Sequence, residues 1–213
     1  IAETSSSALM PGDVISEGDE AMNTDDVRND LGIDGSGVTV GVLSDSYDGA
    51  PSEEDGGINA EDDIQSDDLP PADRIDILDD CCVNPIRDEG DEGRAMMQLI
   101  YDVAPGVSLS FHDAIGGKGG FAEGIVELRD NSSSDVIVDD IIYFQEPFYQ
   151  DGVVAQAVNE VAESGVPYFS AAGNSGFQSF ESKTWKEMPN SKYYDFSSQG
   201  DPPDSTQKIT IVG

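Results

Sequence analysis

The sequence predicts an α/β fold built on a doubly wound, mostly parallel β-sheet. From about residue 89 to residue 176, apolar segments of strand length alternate with amphipathic segments of helix length. Such alternation is typical of strand–helix–strand units. The run 38–43 is β-branched or apolar at nearly every position, as expected for a parallel strand that is covered on both faces.

The predicted elements follow in order along the chain. Thr24 and the acids after it cap a short helix that Gly32 closes, and residues 74–80 (RIDILDD) form a short strand. Residues 49–73 are acidic and rich in Gly and Pro, which predicts a long surface excursion. The later elements are a helix at 91–103, a strand at 107–111, a helix at 120–130 after the turn GGKGG, a strand at 135–141, a helix at 150–165 and a strand at 166–174.

Composition divides the chain into three parts. Residues 1–23 are small and polar, which predicts a tail or linker. Residues 24–176 hold the α/β core. Residues 177–213 are rich in aromatic residues, lack a helical period and end in the strand-like run KITIVG, so we expect the start of a β-rich insertion and an incomplete domain.

The charge balance excludes several classes of partner. The chain has 44 acidic and 10 basic residues, a formal net charge of −34. Nucleic acid is excluded as a default partner because phosphate binding needs clustered cations, and anionic membranes are disfavoured for the same reason. We favour a solvated acidic surface suited to a salty environment. Structural calcium, held by acidic loops such as residues 53–63, is the competing interpretation.

Other sequence features say less about function. No apolar run is long enough to span a membrane. The chain begins at Ile1 rather than Met, so we expect a processed form or a piece of a longer protein. Cys81 and Cys82 are adjacent, which suits neither a mutual disulfide nor a metal site of their own.

Three segments together resemble the subtilisin-like serine peptidases and their carboxylate-using relatives, the sedolisins. They are GVTVGVLSDSYD at 37–48, DEGRAMMQLIYDVAPGVSL at 91–109 and GVPYFSAAGNSG at 165–176, in the family's order. The resemblance covers roughly residues 24–176. It implies a subtilisin-like three-layer α/β fold, a secreted or cell-surface location and hydrolysis of protein or peptide substrates through an acyl-enzyme.

The resemblance implies a catalytic pair of carboxylates. Asp45 lies at the end of the first core strand, where the family places the aspartate that orients the base. Glu92, followed by Gly93, stands where subtilisins have His-Gly and where sedolisins have a glutamate base. Two such carboxylates would share a proton and titrate as a unit. The alternatives are a loop aspartate at position 45 and a first-turn acid at position 92 favoured by the helix dipole, a role that Asp91 could also fill.

Two further positions complete the predicted site. Asn174 in AAGNSG matches the asparagine that donates to the oxyanion, although a turn asparagine beside Gly173 is an equally compatible role. Asp140 ends the strand DVIVDD, where it would join the proton network or hold a cation. Met96 stands where sedolisins carry a supporting aspartate. His112 lies outside the family motifs and is interpreted as structural.

The family's nucleophile, a serine in a Gly-Thr-Ser-type segment that opens a helix, does not occur in the sequence. We therefore expect this chain to be inactive by itself. The competing hypothesis is a non-catalytic, subtilisin-like binding module at the cell surface, with calcium as a potential ligand. A nucleotide-binding domain is a weaker hypothesis, because Gly35-Ser36-Gly37 precedes the strand whereas a phosphate loop follows it.

Overall fold

A computed structural model describes residues 12, 14–49, 58–80, 90–174, 186–197 and 202–205. The chain divides into two compact units, residues 1–173 and residues 174–213. The helices and strands of the described residues all lie in the first unit. They are α1 (Glu17–Met22), α2 (Thr24–Leu31), β1 (Thr39–Ser44), α3 (Ala60–Gln65), a 3₁₀ turn (Ala72–Arg74), β2 (Ile75–Asp79), α4 (Glu92–Val103), β3 (Ser108–Asp113), α5 (Gly117–Asp130), β4 (Val136–Asp139), α6 (Val153–Glu163) and β5 (Tyr168–Ser170).

The five strands form one all-parallel sheet in the order β2-β3-β1-β4-β5, flanked by helices. The predicted α/β fold with a parallel sheet is therefore confirmed. β1 lies at the centre, and its residue Leu43 is in register with His112 of β3 and Asp139 of β4. Because all strands run the same way, their carboxyl ends meet at one edge of the sheet, where ligands bind in sheets of this kind.

Successive residues of β1 enter two different hydrophobic clusters. Val42 packs in a cluster with Met97 of α4, whereas Leu43 packs in a second cluster with Ile125 of α5 and Val161 of α6. Side chains alternate between the two faces of a strand, so the clusters lie on opposite faces of the sheet. This is why the run 38–43 is apolar at consecutive positions.

The structure adds two helices and lengthens a third. α1 lies in the segment predicted to be a tail, and Asp19 of α1 forms a 2.6 Å ion pair with Arg28 of α2. α3 lies in the predicted surface excursion, where Asn59 and Asp62 form a capping box. α5 begins at Gly117, inside the segment predicted to be a turn. The sequence did not reveal this start, because the first turn of the helix carries no apolar residue that would show a helical period.

The second unit is described at residue 174 and over two short stretches, 186–197 and 202–205. Glu187 and Tyr194 form an isolated antiparallel bridge, and the Lys186 ammonium lies 3.1 Å from the Asp195 carboxylate. The run KITIVG lies outside the described residues, so the β-rich insertion stays a prediction. Across the described helices of the chain, none has the length and apolar character needed to cross a membrane.

Candidate active site

Asp45 links the end of β1 to the start of α4. Its Oδ1 accepts hydrogen bonds from the backbone N–H of Ser46 at 2.6 Å and of Gly93 at 3.3 Å. Its Oδ2 accepts from the N–H of Gly90 at 2.8 Å. Asp45 therefore lies where the sequence predicted, and its carboxylate anchors the backbone around the first turn of α4.

Glu92 is the first residue of α4, and its carboxyl group hydrogen-bonds to that of Asp140. This bond raises the pKa of Glu92, and partial desolvation together with the negative charges of Asp140 and Asp45 raises it further. Two carboxyl groups can hydrogen-bond to each other only if one of them holds a proton. The raised pKa of Glu92 favours its protonated form, which can donate to Asp140.

Ser44 supports this pair from the neighbouring strand. Its hydroxyl is fully buried and donates to Asp140 Oδ1 at 2.9 Å. The contact follows from the strand register. Leu43 pairs with Asp139, so the residues that follow them, Ser44 and Asp140, are also neighbours. Sequence reasoning assigned Ser44 no role, since the pairing of β1 with β4 is not visible in the sequence.

Asp140, predicted either to join the proton network or to hold a cation, is the hydrogen-bond partner of Glu92. The sequence predicted Asp45, but Asp140 makes the hydrogen bond and Asp45 acts on Glu92 through its charge alone. Both Asp45 oxygens accept from backbone N–H groups. The structure thus brings Glu92 and Asp140 into contact and leaves Asp45 as an adjacent negative charge.

Asp91 has a structural role beside the pair. It adopts a left-handed conformation with φ of 50°, an uncommon state for a non-glycine residue. Its buried Oδ1 accepts from the Ser46 hydroxyl and the Gly49 N–H, each at 2.7 Å. The side chain makes no capping hydrogen bond to α4. Asp91 and Glu92 are adjacent in sequence but have different partners: Asp91 binds Ser46 and Gly49, whereas Glu92 contacts Asp140.

Arg94 ties α4 to the segments that surround it. Its guanidinium is buried and lies 2.9 Å from Asp91, 2.6 Å from Asp48 and 3.0 Å from Asp63. Burial raises the pKa of Asp63, opposing the favourable charge of Arg94. Sequence reasoning missed this cluster, although the i,i+3 spacing of Asp91 and Arg94 on a helix was a usable signal.

Gly93 allows the start of α4 to pack closely against the sheet. A Cβ at this position would overlap the Phe111 ring and would lie 2.6 Å from the Ser46 carbonyl oxygen. The close approach of Gly93 to Phe111 and to the Ser46 carbonyl holds the neighbouring residue Glu92 near the carboxyl end of β1.

Three further residues named from the sequence are Met96, His112 and Asn174. Met96 packs against the hydrophobic cluster of α4 and so offers no polar support to Glu92. His112 is a buried residue of β3, with Nδ1 2.6 Å from the Asp113 carbonyl oxygen and Nε2 3.5 Å from Glu127. Asn174 follows β5 and belongs to the second compact unit.

The described part of the chain contains no candidate metal site. There, no group of three or more His, Cys, Asp or Glu side chains is arranged to hold an ion. Residues 53–57 of the acidic loop, together with Cys81 and Cys82, lie outside the described residues. Structural calcium therefore stays a prediction.

Comparison with known proteins adds no family assignment. No protein-family model matches the chain, and no curated protein matches it significantly. The likeness to subtilisin-like peptidases therefore stands on the three sequence segments alone.

Proposed function

We propose that this chain is the carboxylate-bearing part of a subtilisin-like serine endopeptidase of the secreted or cell-surface type. In this proposal the fold is doubly wound and three-layered, and the domain is completed by a nucleophile-bearing segment that is not among these 213 residues. The observation that carries the proposal is the hydrogen-bonded pair Glu92–Asp140 at the carboxyl edge of a parallel sheet.

The proposed chemistry begins with the ionised member of the pair. In its ionised form, Glu92 removes the proton of a serine hydroxyl as that oxygen attacks the peptide carbonyl, while Asp140 lies beside it. Glu92 then returns a proton to the leaving amine. A raised pKa makes Glu92 a stronger base than an ordinary glutamate while leaving it acidic, so we expect maximal activity below neutral pH.

Asp45 and Asn174 complete the proposed set in different ways. Asp45 positions the helix start through Gly90 and Gly93, and its charge favours protonation of Glu92. Asn174 would donate its side-chain amide to the oxyanion, as the resemblance implies. Protein or peptide is the proposed substrate, and no cofactor is required for this chemistry.

The experiment is active-site labelling of the full gene product with a fluorophosphonate probe across pH 4–8. We expect labelling of a serine outside the present sequence and a loss of at least about 100-fold in the labelling rate on Glu92→Gln. The matched control is Glu61→Gln on the exposed face of α3, which should label like the parent. A labelling profile with a basic limb near neutral pH, unaffected by Glu92→Gln, would overturn the proposal.

A second arm uses the 213-residue chain itself. It should remain unlabelled under all these conditions, because it contains no serine in a helix-opening Gly-Thr-Ser segment. If the full gene product also remains unlabelled while its fold is intact, the non-catalytic binding module becomes the better description.

A further inference from the structure

A cavity of about 560 Å³ lies on the other side of the sheet from the Glu92–Asp140 pair. Its walls come from α5, α6 and the segment after β4, and include Phe121, Ile142, Val154 and Val158. The volume falls within the usual range for small-molecule sites, which are mostly apolar with a few converging polar groups.

The consecutive residues Asp139 and Asp140 point to opposite faces of the sheet, and each belongs to a different site. Asp140 contacts Ser44 and Glu92, whereas Asp139 lines the cavity beside α6. This division follows from the alternation of side chains at the end of a strand. The cavity is thus separate from the proposed catalytic pair, although one peptide bond joins their acids.

The polar groups of the cavity include two carboxyl groups, those of Asp139 and Glu146. Asp139 is 3% exposed, and its Oδ1 accepts from the Ser170 hydroxyl at 3.0 Å and from the Ile141 N–H at 3.2 Å. The Tyr168 hydroxyl is buried and also lines the cavity.

Glu146 contributes a second carboxylate with unused capacity. Both of its oxygens are buried, and neither accepts a hydrogen bond from the described residues. Glu146 forms an ion pair with Lys118, whose ammonium nitrogen lies 3.2 Å from Oε1. The ion pair reaches Oε1 and leaves Oε2 without a partner among the described residues. A buried acceptor without a donor is unfavourable, so a ligand that supplies N–H groups would gain from binding here.

We propose that this cavity binds a small organic amine whose body is aromatic or branched aliphatic. The ammonium group would donate to Glu146 and Asp139, while the body packs against Phe121 and Val158. An anionic ligand of the same shape is disfavoured by the two carboxylates and by the net charge of −34. A neutral ligand would leave the Glu146 carboxylate without an added positive charge.

The test measures binding of phenethylamine to the 213-residue chain by titration calorimetry and by ¹H–¹⁵N NMR shifts. Phenethylamine should bind saturably and at least about tenfold more tightly than 2-phenylethanol or 3-phenylpropanoate. Val158→Trp should abolish binding by filling the cavity. Val153→Trp is the matched control, because Val153 lies on the same helix, is 47% exposed and does not line the cavity.

Glu146→Gln provides an independent variant that preserves side-chain shape, and it should weaken phenethylamine binding about tenfold. If circular dichroism shows that Val158→Trp does not fold, the effect of Glu146→Gln on phenethylamine binding tests the proposal by itself. Equal affinity for the amine and the alcohol, or amine binding that a folded Val158→Trp or Glu146→Gln leaves unchanged, overturns the proposal. That result would indicate unspecific attraction of cations to the acidic surface.

Discussion

The carboxyl groups of Glu92 and Asp140 are hydrogen-bonded to each other, although one opens α4 and the other follows β4. The contact exists because β4 lies directly beside β1, whose end anchors the start of α4 through Asp45. The hydrogen bond requires a proton on one of the two groups, and the raised pKa of Glu92 favours its protonated form.

The first prediction concerns the origin of the raised pKa of Glu92. Asp140→Asn should lower this pKa toward the ordinary glutamate value, because the substitution removes the hydrogen-bonding partner and the nearer negative charge. Asp45→Asn should lower it less. The measurement is a ¹³C NMR titration of side-chain carboxyl groups, with Asp76→Asn on the exposed face of β2 as the control. A larger fall in Asp45→Asn than in Asp140→Asn would contradict the assignment of partners.

The second prediction concerns stability and pH at Glu92. Because folding raises its pKa, the protonated form stabilises the fold fully below the unfolded pKa of about 4.3, and this stabilisation is lost as pH rises through the folded pKa. Glu92→Gln should therefore raise the free energy of unfolding at pH 7.5 by about 0.5 kcal/mol, the usual size for a partly exposed charge contact.

At pH 4 the gain from Glu92→Gln should disappear, since the parent side chain is then largely protonated. Urea unfolding at both pH values provides the measurement. Glu61→Gln serves as the control and should show a smaller difference between the two pH values. A Glu92→Gln variant that is less stable than the parent at pH 7.5 would count against the shared-proton arrangement.

The third prediction concerns Arg94. Arg94→Met should lower the free energy of unfolding by about 3–5 kcal/mol, because Asp48, Asp63 and Asp91 would lose their buried cation. Arg129→Met is the control, since its partners Asp130 and Glu160 are exposed and the expected loss is at most about 1 kcal/mol. Chemical denaturation measures both variants, and equal losses would refute a special role for the buried cluster.

The fourth prediction concerns Gly93. Gly93→Ala should destabilise the chain by about 1–3 kcal/mol, because the added methyl group overlaps Phe111 and the Ser46 carbonyl. Gly119→Ala within α5 meets open space and should be neutral or stabilising by up to about 1 kcal/mol. Thermal unfolding compares the two alanine variants. Similar melting temperatures would mean that α4 is not held tightly against β3.

The fifth prediction concerns salt. With a net charge of −34, repulsion between acids opposes folding at low ionic strength. The melting temperature should rise as KCl increases from about 0.1 M to about 1 M, where the screening length falls from about 10 Å to about 3 Å. A neutral osmolyte at equal osmolality controls for effects other than screening, and an equal rise in both solutions would argue against charge repulsion.

Much of the fold was predictable from local patterns. The consecutive apolar residues of β1, the amphipathic period of α4 and the glycine that closes α2 each reflect contacts within a few residues, so periodicity reveals them. α1 and α3 were missed because they are short and acidic. α1 is held by the Asp19–Arg28 ion pair and α3 by its capping box, and neither feature creates an apolar period.

The sequence by itself determined that acids would stand at strand ends and at the start of α4, because those positions follow from local element boundaries. Only the tertiary structure decided that Glu92 pairs with Asp140, that Ser44 supports the pair, and that Asp139 faces a separate cavity. These contacts depend on the strand order β2-β3-β1-β4-β5, in which neighbours in space are distant in the chain. Strand order arises from packing of the whole domain, and no local pattern encodes it.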